Sequence, residues 1–249
     1  MLGLARAGGS MEIHCAAGRI RAQKAVLATN AFRSPVGRMR RATIPVWDYA
    51  LMSEPLSESQ MASVGWKNRQ GIGDSANQFH YYRLTEDDRI LWGGYDAIYH
   101  YGNRIDTSME QRAASFEGLS RRFFATFPQL EGLCWTHSWG GPIASSTRFC
   151  MDVGTAYDGR VSWAVGYTGL GVVATRYGAR LALDLLDNPE APALQMRFVK
   201  KRALPWPPEP LRALGVAITQ RAMARADRNE GRSGLWLKLL DAIGVGFDS

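Results

Sequence analysis

The residues with the clearest chemical potential form a glycine-rich turn, Gly166–Gly171, between an apolar strand and a helix. Gly169, Gly171 and Ala174 match the G-x-G-x-x-G/A fingerprint of dinucleotide-binding turns. Glycines let a backbone approach a ligand closely, and the first N–H groups of a helix have no internal partner. The turn could therefore present amide donors to an electron-rich atom. Tight packing of the helix on the strand is the alternative, and the turn alone does not decide between them.

The elements around this turn exclude a classical pyrophosphate-binding unit. The apolar run Val161–Val165 predicts a buried strand, and Val172–Leu186 predicts a long helix. The helix stops at Asn188-Pro189, whereas the full fingerprint requires a second parallel strand that ends in an acidic residue. We therefore expect a strand, turn and helix that offer backbone donors without a Rossmann phosphate site.

Other segments predict the scaffold that must position this turn. Lys24–Thr29 is a continuous apolar run that predicts a strand buried on both faces, with neighbours on either side. Alternation over residues 78–95 predicts a hairpin. Ser108 and Gln111 form a capping-box signature ahead of a helix.

The composition excludes several classes of protein. The chain has 249 residues, of which 46% are hydrophobic and 21% charged, so it is neither disordered nor fibrous. No apolar run is long enough for a transmembrane segment. Three cysteines, odd in number and far apart, argue against a disulfide scaffold and for a reducing, cytoplasmic location.

Much of the net charge of +7 lies in the last fifty residues, which begin within a proline-rich arm at residues 188–210. No zinc-finger, RNP or basic-zipper pattern accompanies this basic tail, so we expect no nucleic-acid partner. A solvated helical face explains the charge, and an anionic ligand or membrane surface is the alternative.

Five segments, taken in order, carry a resemblance to a known family. They are Val26–Ala31, Ile44–Leu56, the hairpin from Tyr81 to Gly94, Trp139–Pro142 and Gly166–Gly171. This order resembles the C-terminal half of FAD-dependent amine and D-amino-acid oxidases, the group of glycine oxidase and gamma-glutamylputrescine oxidase. The resemblance covers nearly the whole chain to about residue 190.

The resemblance implies an α+β fold, partly α/β, in which a mixed-sheet substrate domain joins the C-terminal part of an FAD-binding domain. It implies a remnant of the FAD-binding domain at 1–41 and the substrate-binding domain at 42–145. The FAD-binding domain returns at 146–190, and 191–249 form a Pro-rich linker and a basic helical tail. The family's N-terminal G-x-G-x-x-G half does not occur in this sequence. We therefore expect a fragment, from a split protein or a truncated reading frame, that binds FAD weakly or not at all alone.

The resemblance also implies which residues bind the cofactor. The amides of the glycine-rich turn would lie near the pyrimidine carbonyl of the flavin, where they would stabilise the charge that the ring gains with hydride. The stretch that begins at Ala28 would lie near the FAD phosphate or ribose. The complete set is Ala28, Thr29, Asn30, Gly140, Gly141, Gly166, Tyr167, Thr168, Gly169, Leu170 and Gly171.

The candidate catalytic residues are His80, Tyr82 and Trp139. In relatives the hairpin strand faces the substrate, and alternation puts His80 and Tyr82 on one face and Tyr81 on the other. An aromatic wall would suit an amine, by cation–π contact or by disfavouring its charged form. Packing in the core or across strands is the alternative role for each.

An arginine grips the substrate carboxylate in amino-acid oxidases of this family. The corresponding place, near Trp139, holds no arginine, which favours an amine without an α-carboxylate. Arg83 or Arg148 could substitute from elsewhere, or could be a surface or structural residue. The four histidines show no metal-ligand spacing, so we expect no metal.

The function implied is that of an FAD-dependent oxidoreductase acting on a small amine or amino acid. Hydride would pass from the carbon that bears the amine to the flavin, and the resulting imine would hydrolyse. The alternative is a non-catalytic α+β fragment that needs a partner, the missing N-terminal FAD-binding half, to bind FAD. A weaker third hypothesis is an anion-binding or membrane-surface protein that uses the basic tail.

Overall fold

The computed structural model describes residues 3–246, which divide into two compact units. The first unit comprises the chain up to Pro45, Ile143–Arg212 and the chain from Leu239 onward. The second comprises Val46–Pro142 and Ala213–Lys238. The functions that the sequence assigns to its four predicted segments stay predictions.

The mixture of strands and helices confirms the α+β fold class. The strands are β1 (Gly3–Ala7), β2 (Ser10–Cys15), β3 (Gly18–Ala22), β4 (Ala25–Leu27), β5 (Thr43–Ser53), β6 (Ile72–Gly73), β7 (His80–Leu84), β8 (Ile90–Gly94), β9 (Trp135–Ser146), β10 (Asp152–Ala156) and β11 (Val161–Val165). The α-helices are α1 (Gly37–Ala42), α2 (Glu58–Val64), α3 (Ala113–Thr126), α4 (Gly171–Asp187), α5 (Pro192–Gln195), α6 (Arg197–Lys200), α7 (Leu211–Arg228) and α8 (Leu235–Ala242).

The first unit contains two three-stranded sheets. Strands β1, β2 and β3 form an antiparallel meander. In the other sheet, β11 pairs antiparallel with β10 and parallel with β4, where Trp163 lies opposite Leu27. Helix α4 covers one face of this sheet, and the Ser162 hydroxyl donates to the Ala182 carbonyl at 2.7 Å. Trp163 is fully buried on the other face, since adjacent residues of a strand point to opposite faces.

Strand β4 departs from the predicted strand at Lys24–Thr29. Only Ala25–Leu27 is extended, and it pairs with β11 on one side while no other strand of residues 3–246 pairs with it. Leu27 is buried, but the Val26 side chain is 42% exposed. The expectation of a strand buried on both faces is therefore wrong for β4 in this structure.

The second unit is built on a five-stranded sheet in the order β6-β7-β8-β5-β9. The predicted hairpin is confirmed as β7 and β8, with Tyr82 opposite Trp92. Helix α3 packs on one face of this sheet, where the rings of Phe123 and Trp92 lie 5.5 Å apart. The predicted capping box at Ser108 is wrong, because α3 begins at Ala113. Ser108 lies in a short 3-10 turn, where its backbone N–H donates to the side chain of the N-cap residue Asp106.

The C-terminal segments pack on the units rather than forming a free linker. In the first unit, the Trp206 indole N–H donates to the Ser145 carbonyl at 3.2 Å. In the second unit, the Asp227 carboxylate accepts from the backbone N–H groups of Asn77 and Gln78 at 2.7 and 3.1 Å. Among residues 3–246, no helix combines the length and hydropathy needed to cross a membrane.

Candidate functional site

The glycine-rich turn leaves the carboxyl end of β11 in a conformation that its residue types permit. Gly166 and Gly169 have φ of +82° and +85°, where glycine has no steric penalty. A Cβ on Gly166 would lie 2.9 Å from the Thr43 side chain and 3.0 Å from that of Ser146. Gly166 is therefore required both by its backbone conformation and by close packing.

Thr168 ties this turn to β9. Its φ of +52° is uncommon for a residue with a side chain. Its backbone N–H donates to the Ala144 carbonyl at 3.1 Å, and its hydroxyl donates to the Gly166 carbonyl at 3.1 Å. The Ser146 N–H in turn donates to that hydroxyl at 3.3 Å. These contacts hold a strained residue in one position, as is common at ligand sites.

The start of α4 offers amide donors beside exposed apolar side chains. Leu170 is the N-cap residue, and its side chain makes no capping hydrogen bond, so the first N–H groups lack a partner from that side chain. Leu170, Val172 and Val173 are 55%, 95% and 81% exposed. The exposed apolar side chains can contact a flat apolar ligand. The amides can bind an electron-rich edge of that ligand, because the helix dipole favours negative charge at this end.

Tyr167 anchors the turn to the body of α4. The Tyr167 ring lies against Gly178, where a Cβ would come within 2.2 Å of the tyrosine oxygen. Burial raises the pKa of the Tyr167 hydroxyl, so the side chain stays neutral. The turn is thus supported by both β9 and α4.

The segment Ala28–Asn30 lies at the same edge of the sheet as the turn. Strands β4 and β11 are parallel, and both segments follow directly after the carboxyl ends of these strands. This is the edge where open α/β sheets bind ligands. Asn30 has φ of +46°, and the Thr29 carbonyl accepts from the Phe32 N–H at 2.9 Å. The structure therefore brings together two of the predicted cofactor-binding segments.

Thr29 supplies an unused donor at this edge. Its hydroxyl oxygen is buried and has no hydrogen-bond partner within residues 3–246. A buried polar atom without a partner is costly, and a ligand is one way to satisfy it. The site can thus offer a hydroxyl in addition to backbone amides.

In the second unit, His80 and Tyr82 lie on the sheet face that α3 covers. His80 is 7% exposed, and its ring stacks on Trp92 with 4.6 Å between centroids. The Tyr82 ring lies 4.8 Å from the same indole. Both side chains thus pack in the core of this unit, and a direct catalytic role for either stays a prediction.

Both ring nitrogens of His80 are already engaged. Nδ1 lies 3.0 Å from an Asp74 carboxylate oxygen, and Nε2 accepts from Arg122 Nε at 3.0 Å. Because Arg122 donates to Nε2, the proton of the neutral ring is on Nδ1. Burial lowers the pKa of His80, and the Arg122 charge lowers it further against the opposing effect of Asp74. The network therefore holds a neutral imidazole.

This network predicts how stability depends on pH. A folded-state pKa below the ordinary 6.5 means that the unfolded chain binds the proton more readily, so stability is lost as pH falls through that value. When urea unfolding at about pH 5.5 is compared with unfolding at about pH 7.5, the free energy of unfolding is expected to change less favourably in the parent than in His80→Gln, since other titrating groups act in both proteins. His137→Gln, at an exposed histidine, is the control and should keep the parental difference. Equal pH dependence in parent and His80→Gln would contradict the assignment.

Gly140 and Trp139 belong to opposite faces of β9. A Cβ on Gly140 would lie 2.4 Å from the Tyr49 ring, so this glycine faces the helix-covered core. Trp139, its neighbour, therefore lies on the other face of the sheet and is 39% exposed. A Cβ on Gly141 would meet nothing within 4 Å among the described residues. Trp139 is thus the one predicted catalytic residue on the face away from α3.

Arg83 and Arg148 are the two arginines that could bind a substrate carboxylate, and the side chain of Arg148 is buried and bonded to the backbone. It is 3% exposed and donates to the backbone carbonyls of Phe198 and Lys201. Arg83 is exposed on β7. No group of three or more His, Cys, Asp or Glu in the described part of the chain is arranged to hold a metal ion.

A family profile described as FAD dependent oxidoreductase matches residues 2–185. The chain belongs to this family of FAD-dependent oxidoreductases. It is 28% identical over 187 residues to a probable oxidoreductase, OrdL, of Haemophilus influenzae, a match that covers 72% of this chain and 39% of the relative.

Other relatives agree with this membership. The gamma-glutamylputrescine oxidoreductase of Escherichia coli is 28% identical over 176 residues, covering 70% of this chain and 39% of the relative. Among solved structures, glycine oxidase from Geobacillus kaustophilus matches with a TM-score of 0.57 at 17% identity, over 74% of this chain and 46% of that one. L-proline dehydrogenase from P. horikoshii matches with a TM-score of 0.60 at 19% identity, over 77% and 50%. The chain thus spans about two fifths of the curated relatives it matches, and these structures share its fold.

The site in the first unit fits the cofactor of this family. FAD carries phosphates, hydroxyls and ring carbonyls that accept hydrogen bonds, and a flat ring system with apolar faces. Matching donors and apolar surface lie at one sheet edge: the Thr29 hydroxyl, which has no partner within residues 3–246, the start of α4, where the Leu170 side chain makes no cap, and the exposed Leu170 itself. The FAD-binding character of the family is therefore consistent with residues present in this chain.

Sequence reasoning missed one pair in the second unit, Asp48 and Tyr81. The Tyr81 hydroxyl donates to an Asp48 carboxylate oxygen at 2.7 Å. Burial raises the pKa of Asp48 to about 6, with a smaller contribution from Asp96 and against the hydrogen bond from Tyr81. The sequence does contain a sign of this pair, because Asp48 lies within the apolar strand β5, where charged residues are rare.

Proposed function

We propose that this chain is part of an FAD-dependent oxidase or dehydrogenase that oxidises an amine or amino acid to an imine, which then hydrolyses. The observation that carries the proposal is the convergence of the Gly166–Gly171 turn, the uncapped start of α4 and Thr29 at the carboxyl edge of β4 and β11. Family membership supports the redox class, since FAD supplies the acceptor for hydride when it is bound.

The residues of the chain then have distinct tasks. Backbone amides at Gly169–Gly171 would hold the flavin edge and stabilise negative charge there, and the Thr29 hydroxyl would donate to a polar group of the cofactor. Trp139 presents an aromatic surface to the substrate, while His80 and Tyr82 support the sheet. The names of the relatives span glycine, proline and gamma-glutamylputrescine, which supports a small amine or amino acid as the substrate.

FAD binding by this chain is proposed to require a dinucleotide-binding half from outside these 249 residues. Two observations support this requirement. The curated relatives are more than twice as long as the part that matches. Strand β4 has a pairing partner on one side only within the described residues. A cytoplasmic location belongs to the same proposal.

Leu170→Asp tests the role of the turn without threatening the fold. Aspartate at this position places a carboxylate beside the first amides of α4, where the helix dipole favours it by about 0.3–1 kcal/mol. The same carboxylate would occupy and repel the flavin edge, so FAD affinity should fall at least about tenfold. FAD fluorescence titration, with and without an added family N-terminal half, measures the affinity.

Leu214→Asp is the matched control, since Leu214 is 56% exposed on α7. This variant should bind FAD as the parent does. Unchanged FAD affinity in Leu170→Asp would show that the turn does not contact the flavin. Absence of FAD binding by the parent in both conditions would refute the cofactor proposal itself.

A further inference from the structure

The second unit contains a partly buried carboxylate, Asp48, that forms no ion pair with any residue from 3 to 246. Asp48 lies on β5. Nearby Asp96 is different, because Arg112 and Arg122 approach it at 3.7 and 3.8 Å. Buried charges in proteins are generally paired with an opposite charge. Asp48 accepts hydrogen bonds from the Tyr81 hydroxyl and from backbone N–H groups, but no cationic side chain in the described part of the chain pairs with it.

Two small residues and the Tyr81 ring lie next to Asp48 on the sheet. Ala50 and Gly93 lie opposite each other on β5 and β8, and Tyr81 lies opposite Gly93 on β7. A Cβ on Gly93 would come within 2.5 Å of the Tyr81 ring, so this ring lies flat across the glycine. The absence of a side chain at Gly93 therefore lets the Tyr81 ring lie against the sheet, with its hydroxyl directed to the Asp48 carboxylate.

Asp48 and Tyr81 lie on the sheet face away from α3. Asp48 and Tyr49 are adjacent and point to opposite faces, and Tyr49 is buried in the helix-covered core. Since Gly140 faces Tyr49, Trp139 lies on the Asp48 face. A carboxylate, a phenol hydroxyl and an exposed indole thus share one face of the sheet. Carboxylates and aromatic rings are the groups that recognise organic cations.

We propose that Asp48 binds the ammonium group of a cationic amine, and that Tyr81 acts as a positioning residue which orients the carboxylate. This inference deepens the proposed function by naming a protonated alkylamine as the substrate class, and for that role it rests on the proposed function. The binding step itself is an ion pair on this chain and needs no flavin.

The groups that face Asp48 indicate how binding depends on pH. They are the Tyr81 hydroxyl on β7, the backbone N–H groups of Tyr49 and Gly94, and the carboxylate of Asp96 after β8. The two arginines next to Asp96 partly neutralise it. Because the pKa of Asp48 is raised to about 6, the carboxylate is ionised at neutral pH and becomes protonated as the pH falls through that value.

The test uses this chain and butylammonium chloride as the probe, with 1-butanol and butyrate as neutral and anionic analogues. Ligand-observed NMR titration is expected to show binding of butylammonium only, with an affinity that declines as pH falls through about 6. Asp48→Asn should weaken butylammonium binding at least about tenfold, the value of a charge-assisted hydrogen bond. Tyr81→Phe should weaken it about threefold, because the carboxylate keeps its charge but loses its orienting donor.

Asp158→Asn is the matched control, since the Asp158 side chain is 80% exposed in the first unit, and it should bind as the parent does. Circular dichroism shows whether each variant is folded. Equal binding by parent and Asp48→Asn, equal binding of butanol, or no binding by the parent would each overturn the assignment. Asp48-dependent binding in a protein that never binds FAD would uphold the amine site and reject the oxidase function. FAD binding without butylammonium binding would reject the amine site and leave the FAD-dependent function supported.

Discussion

Trp92→Ala is expected to lower the free energy of unfolding by about 3–5 kcal/mol, the usual cost of truncating a buried tryptophan. Trp92 is 1% exposed at the centre of the helix-covered core. Its ring lies 4.6 Å from that of His80 and 5.5 Å from that of Phe123, and its indole N–H donates to the Leu119 carbonyl at 3.1 Å. The substitution removes these ring contacts and the indole hydrogen bond to the Leu119 carbonyl.

Urea unfolding followed by tryptophan fluorescence and circular dichroism measures this effect. Trp139→Ala is the matched control on the same sheet, since Trp139 is 39% exposed. We expect this control to change stability by less than about 1 kcal/mol, as is usual for surface positions. If the two variants were equally destabilised, the assignment of opposite roles to the two sheet faces would be wrong.

Gly178→Ala is expected to destabilise the first unit by about 1–3 kcal/mol, although alanine normally favours a helix. The new methyl group would lie 2.2 Å from the Tyr167 hydroxyl oxygen and 3.1 Å from the Ala164 side chain. Tyr167 must therefore move, and the turn that follows β11 must move with it. Since that turn carries the proposed flavin contact, FAD affinity should fall together with stability.

Two further variants separate this clash from helix propensity. Gly215→Ala, in α7, places a methyl group where nothing lies within 4 Å, and should raise stability by about 0.5–1 kcal/mol. Tyr167→Phe removes the closest atom, so the double variant Gly178→Ala/Tyr167→Phe should recover part of the loss. A stabilising effect of Gly178→Ala alone would show that Tyr167 does not pack on this helix.

Local sequence patterns determined the secondary-structure elements that carry the candidate site residues. The strand, glycine turn and helix over residues 161–187 follow from apolar periodicity and from glycines that adopt positive φ, and each signal lies within a few residues of its effect. The same holds for the hairpin β7–β8, where alternation also separates Tyr81 from His80 and Tyr82. The order of the motifs was sufficient to indicate the family, as the comparisons confirm.

Tertiary structure alone decided which groups meet. The parallel pairing of β4 with β11 joins residues more than a hundred positions apart, and it places Thr29 beside the glycine turn. The bonds of His80 to Asp74 and Arg122, and the pairing of Tyr81 with Asp48, likewise depend on strand order and on helix packing. Such contacts form because burial forces distant polar groups to find partners, and no local pattern encodes which partner each will find.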